Sequence, residues 1–221
     1  MKTQYQQHGI AFLAIGLTFL ACYSFIDQPL ANWLHTHSLA LTSRLASFFS
    51  HYFKAGTFYA LPILVIIYCY FKDQLRSSLC RESLLLCYIF LINAVLCTAL
   101  KVLLARARPV EYFHHHLYGF HFFKFNSHFW SFPSGHAFVA STFFSFLAIS
   151  RPHLRGWCIL GIVIMCISRM ISGAHYLGDV IVGSFLGYWT CKIIITNYQH
   201  KLPMILENWI HKHQPLSTET T

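Results

Sequence analysis

Apolar residues fall into six long runs separated by short polar stretches: Gly9–Ile26, Ala55–Phe71, Ser83–Leu104, Ser134–Ser150, Gly156–Ser172 and Val180–Tyr198. Coiled as helices, runs of this length can cross the roughly 30 Å of hydrocarbon in a bilayer. The pattern predicts an all-α integral membrane bundle of six helices. Six spans leave little chain over, so residues 1–221 are expected to form a single membrane-embedded domain. Lys2 followed by an apolar run has the look of a cleavable leader. That run continues to Ile26 with no A-x-A site after it, so a first spanning helix that stays is expected. In the polar stretch Asp27–Lys54, Leu30, Trp33, Leu34, Leu41, Leu45, Phe48 and Phe49 are spaced to share one face of a helix lying in the interface. A membrane-surface anchor is the expected use; a lid or a wall guiding lipid inward is the alternative.

Composition strengthens this picture. Only 10% of the 221 residues are charged, against about a quarter in a soluble domain. The net charge of +9 would suit nucleic acid, but the cations form no compact stripe or tail and sit at helix ends. No nucleic-acid partner is expected; the bilayer is. The eight cysteines lie in or beside apolar runs without a CxxC pair, so neither a metal nor a disulfide framework is expected. Six spans put both termini on one side. If that side is cytoplasmic, nine cations face inward (Lys2, Lys72, Arg76, Arg81, Arg151, Arg155, Lys192, Lys201 and Lys212) and seven outward. Setting aside Lys101, Arg108 and Arg169, which suit an anionic ligand, leaves four outward, in keeping with positive-inside orientation.

Three short segments then meet at the outer face. Lys101 and Arg108 are seven residues apart, close to two helical turns, so both can point the same way, with Pro109 ending the helix. The same residues would also suit a basic helix end reaching for headgroups. In Pro133-Ser134-Gly135-His136, Ser134 can cap the next helix and Gly135 lets a ligand approach the backbone. Free N–H groups at a helix start attract anions, and His136 one turn inside can donate a proton. From this segment alone, an ordinary cap with an interfacial histidine is the better reading. In Ser168-Arg169…His175…Asp179, His and Asp four apart share a helical face or meet across a turn. A carboxylate on one ring nitrogen would leave the other free to attack, although Asp179 could instead be a plain helix cap.

Together these segments resemble the type 2 phosphatidic acid phosphatase family, which includes vanadium haloperoxidases and bacterial acid phosphatases. Its K-x6-RP, PSGH and SR-x5-H-x3-D signature is filled at all eleven fixed positions, in order, between Lys101 and Asp179. The resemblance implies that Lys101, Arg108 and Arg169 hold phosphate oxygens, aided by the Ser134 hydroxyl and the Gly135 N–H. It implies that His175 attacks phosphorus to form a phosphohistidine, that Asp179 orients it, and that His136 protonates the leaving oxygen. No metal or other cofactor is then required. The implied activity is metal-independent hydrolysis of a membrane lipid phosphate or pyrophosphate in a bacterial cytoplasmic (inner) membrane, with both termini cytoplasmic and the site at the outer, periplasmic face. Phosphatidylglycerophosphate, phosphatidate, undecaprenyl pyrophosphate and lipid A phosphates are the candidate substrates. A lipid phosphotransferase on the same site is the alternative; a non-enzymatic transporter or scaffold would make all three motifs incidental.

Several residues stay outside this scheme. Residues 110–132 hold Glu111, His114, His115, His116, His121, Lys124 and His128 among aromatics, and are expected to form an interfacial loop at the substrate entrance rather than a metal site. Arg106 either contacts a second phosphate or headgroup, or reaches to the interface. Asn93 is expected to bond between helices. The tail from Lys201 is expected to lie on the cytoplasmic surface.

Overall fold

The computed structural model describes residues 2–52 and 55–198, so the expectation for the tail from Lys201 lies outside the described residues. The described chain is helical, and its one β feature is an isolated bridge between Arg106 and Phe120. α1 (Lys2–Ala21) runs through a π turn (Cys22–Ile26) into α2 (Asp27–His37). α3 (Ala40–Tyr52), α4 (Ala55–Phe71), α5 (Ser78–Leu104) and the short α6 (Pro109–His115) follow, then α7 (Gly135–Ser150), α8 (Arg155–Ile171) and α9 (Leu177–Tyr198). Among the described residues, four helices are long and apolar enough to cross a membrane: Gln6–His37, Ser78–Leu104, Pro152–Ile171 and Leu177–Asn197. α4 and α7 are apolar but shorter.

The first helix departs from expectation. It does not stop at Ile26 but continues for eleven more residues, so the expected interfacial helix is divided between α2 and a separate α3. The π turn makes this possible. Pro29 has no N–H to donate to Phe25, and its ring would press on that carbonyl. In the widened turn the Asp27 N–H bonds Cys22 O instead, and the helix passes the proline without breaking. Asp27, expected to begin a polar stretch, is thereby buried at 1% exposure.

The packing centre lies where α4, α5, α7, α8 and α9 meet, around Phe58, Ile89, Phe90, Ala140, Met165 and Cys191. α7 and α9 approach most closely, along Gly183-x-x-x-Gly187. A Cβ on Gly183 would stand 2.7 Å from Ser134 O, and one on Gly187 2.3 Å from Phe138 O. Small residues at this spacing let two backbones touch where apolar surroundings offer little drive for association. Asn93 of α5 donates to the Thr142 hydroxyl of α7 at 2.7 Å, the interhelical bond expected of it. Ile10, Leu13, Leu64, Trp157 and Ile159 face outward, an apolar girdle suited to lipid.

Candidate active site

The C-terminal ends of α5 and α8 and the N-terminal ends of α7 and α9 share one end of the bundle, and all eight candidate residues are there. Lys101 lies in the last turn of α5, but Arg108 does not follow on the same helix. α5 stops at Leu104 because Ala105 turns left-handed at φ 46°. Arg106 then bridges Phe120, and Arg108 is extended, as the residue before a proline tends to be. Pro109 opens α6 rather than closing α5. Lys101 and Arg108 therefore converge through a loop and not through two helical turns. The loop holds both: Lys101 Nζ donates to Trp130 O at 2.8 Å, and Arg108 Nε to Ser127 O at 2.8 Å.

Ser134 occupies the cap position of α7, yet its hydroxyl makes no capping bond. That oxygen is buried and unpartnered, as is Nε of Arg169 in the last turn of α8. Gly135 lies against Lys101, where an added Cβ would be 3.5 Å from Cε. His136 follows in the first turn of α7. Two unpaired polar atoms beside three cations form a cradle that a tetrahedral oxyanion would complete.

Arg169 and His175 are separated by a helix-ending turn. Gly173 is left-handed at φ 64°, its N–H bonds Met170 O, and the Ala174 N–H bonds Arg169 O at 3.2 Å. This double-bonded terminus is spent within the five residues of the motif and returns the chain toward α9. His175 is 3% exposed, and its Nδ1 donates to Ser131 O at 2.7 Å. A carbonyl only accepts, so the proton is on Nδ1 and the lone pair on Nε2. Burial first, then the positive charges of Lys101, Arg169 and Arg108, hold the imidazole well below its usual value of 6.5. The ring is a neutral base in a cationic setting.

Residues 82–203 match the PAP2 superfamily. The chain belongs to that superfamily. Two lipid A 1-phosphatases are similar to it: one from Rhizobium johnstonii (strain DSM 114642 / LMG 32736 / 3841), 35% identical over 97 residues, 44% of this chain and 40% of the relative, and one from Rhizobium etli (strain ATCC 51251 / DSM 11541 / JCM 21823 / NBRC 15573 / CFN 42), 39% identical over 100 residues, 44% and 42%. The match thus spans about two fifths of the length of each relative. The crystal structure of a transmembrane PAP2 type phosphatidylglycerolphosphate phosphatase from Bacillus subtilis superposes with a TM-score of 0.61 over 93% of this chain and 96% of that one, at 19% identity. The fold is that of a transmembrane PAP2 protein, and with its apolar helices this chain is an integral membrane protein.

Within this PAP2 fold, Asp179 does not bond the histidine directly. Its Oδ2 is 3.9 Å from His175 Nδ1, and accepts instead from the Ser131 hydroxyl at 2.6 Å and the Tyr176 N–H at 2.9 Å. The third residue of α9 thus reaches back to the backbone ahead of the helix, half of a capping box. Its Oδ1 accepts from Arg106 at 2.6 Å. Arg106 therefore takes neither of the expected roles. It is 0% exposed, and its other terminal nitrogen donates to Asp27 at 2.8 Å and to the Tyr118 hydroxyl at 3.1 Å. The rings of Phe19, Tyr23, Tyr118, Phe120 and Tyr176 surround it at 4.5–5.8 Å. Burial opposes its charge, but Asp179 and then Asp27 outweigh that and hold the guanidinium firmly charged.

Sequence reading missed Asp27 and Ser131. An acidic residue next to an apolar run was a signal for Asp27; nothing marks a carbonyl acceptor such as that of Ser131. In the histidine-rich stretch, His128 Nδ1 lies 2.5 Å and His115 Nε2 3.9 Å from the Glu111 carboxylate. Among the described residues, no three His, Cys, Asp or Glu side chains are placed to share a metal ion. A cavity of about 340 Å³ opens onto His175, walled by α2 (Leu30, Leu34), α6 (Val110, Phe113) and the α8–α9 turn (Ser172, Gly173).

Proposed function

We propose that this chain is a lipid phosphate phosphohydrolase acting through a covalent phosphohistidine. The observation that carries the reading is the His175 ring: protonated on Nδ1 by its bond to Ser131 O, it presents the Nε2 lone pair beside Lys101, Arg108 and Arg169. Nε2 attacks phosphorus in line with the lipid oxygen, the P–O bond breaks, and His136 gives its proton to the departing oxygen. Water, deprotonated by His136, then attacks phosphorus, and inorganic phosphate leaves the ring. The three cations, the Ser134 hydroxyl and the Gly135 N–H neutralise the charge spread over the equatorial oxygens in both steps.

The membrane setting makes the substrate a lipid, and the cavity along α2 and α6 gives its body a place beside the nucleophile. The two Rhizobium relatives put a lipid A 1-phosphate first among the candidates, ahead of phosphatidate, phosphatidylglycerophosphate and undecaprenyl pyrophosphate. We further propose six spans, with α4 and α7 as the two short ones, both termini cytoplasmic and the site facing outward from a bacterial inner membrane.

The test is phosphate release by purified protein from these four lipids. His175→Ala should abolish release while leaving membrane insertion intact. Turnover retained by that variant would overturn the mechanism. Phosphate appearing on an added acceptor lipid, rather than free in solution, would make the enzyme a transferase.

A further inference from the structure

α9 begins at Leu177 behind Tyr176, whose side chain cannot accept the unpaired N–H groups of a helix start. The first helix supplies the missing acceptor. Asp27 Oδ1 accepts the Gly178 N–H at 2.9 Å, across 151 residues of sequence, while its Oδ2 takes Arg106. Gly178 admits this approach, since an added Cβ would stand 3.1 Å from Asp27 Oδ2. One buried carboxylate therefore caps the helix that carries Asp179 and neutralises half of the arginine that Asp179 also binds.

We propose that Asp27, from outside the three motifs and outside the residues matched to the superfamily, is a positioning residue of the candidate site: through Arg106 and Gly178 it fixes the Asp179 carboxylate and thereby the Ser131 loop that holds the His175 ring. Each link is a short bond between buried groups. Asp27 binds Arg106 (2.8 Å), Arg106 binds Asp179 (2.6 Å), Asp179 binds the Ser131 hydroxyl (2.6 Å), and Ser131 O receives the ring N–H (2.7 Å). With Asp27 neutral, Arg106 would have Asp179 as its one carboxylate and would draw it from Ser131, tilting the ring away from in-line attack. Asp27 itself touches no reacting atom in this scheme.

This inference rests on the phosphohistidine reading, and the experiment separates the two. Turnover of the four candidate lipids is measured per folded molecule in detergent for the wild type, His175→Ala, Asp27→Asn, Arg106→Gln and the Asp27→Asn/Arg106→Gln pair. Asp27→Asn keeps the shape and the acceptor for Gly178 while removing the charge. It should lower kcat roughly 10- to 100-fold, the scale of a small misplacement of a reacting group, with KM within about twofold. In the Arg106→Gln background the same change should cost almost nothing further, because the link is already cut. An inactive wild type or an active His175→Ala would sink the functional reading. An inactive His175→Ala alongside Asp27→Asn that melts earlier but turns over at the wild-type rate would sink this proposal alone, leaving Asp27 a strut.

Discussion

The proposed attack on phosphorus requires a histidine with a free lone pair, and burial among cations keeps the His175 ring unprotonated. That arrangement leaves a mark on stability. The unfolded chain takes up a proton on this ring as pH falls through about 6.5, the usual value, whereas the folded chain does not until well below it. Over that interval the unfolded state binds more protons, so stability falls with falling pH. His175→Asn, which cannot titrate, should flatten this part of the slope. Melting temperatures of wild type and variant in detergent between pH 7 and pH 5 would check it: two parallel curves would contradict a depressed ring pKa. Arg108 feels the same burial, offset by Asp179 and Glu111, and its pKa is also lowered.

At the level of elements, the glycines of α9 set the distance between the two helices that carry Ser134 and Asp179. A methyl on Gly187 would enter the α7 backbone, so Gly187→Ala should destabilise by about 1–3 kcal/mol, as overpacked cores do. Gly183→Ala would press on Ser134 O, the residue whose hydroxyl is left open, and should lower kcat/KM as well as stability. Gly16 has nothing within 4 Å of an added Cβ, so Gly16→Ala in α1 should be neutral or slightly stabilising. Unfolding midpoints and phosphate release of the three variants distinguish these outcomes; a fully active Gly183→Ala would argue against a tight α7–α9 seam. The helices themselves were legible because apolar runs are local: Ala55–Phe71 matches α4 at both ends. The meeting of Lys101, Arg169 and His175 was legible as motif spacing. The path between them was not. Ala105 turns left-handed although no glycine marks the place, Pro29 signals a break that the π turn avoids, and Asp27 meets Arg106 across 79 residues.

For the whole molecule, the cradle joins three helix ends, so filling it ties them together. Inorganic phosphate, the product of the proposed reaction, should raise the melting temperature of the wild type. At ten times its dissociation constant it would add about 1.4 kcal/mol, since it binds the folded chain alone. Arg169→Leu should lose most of that gain; an equal shift in both would place the anion elsewhere. The arginine at the centre of the bundle end has a different consequence, for anyone recombining such proteins. Its two counter-ions come from opposite halves of the chain, Asp27 at the start of α2 and Asp179 in the first turn of α9. A chimaera that joins residues 82–203 to a foreign leading helix would carry every signature residue and still bury a guanidinium with one carboxylate in place of two. On the proposal made for Asp27, motif inheritance and site inheritance are separable, and a functional exchange has to carry α2 along with the signature residues.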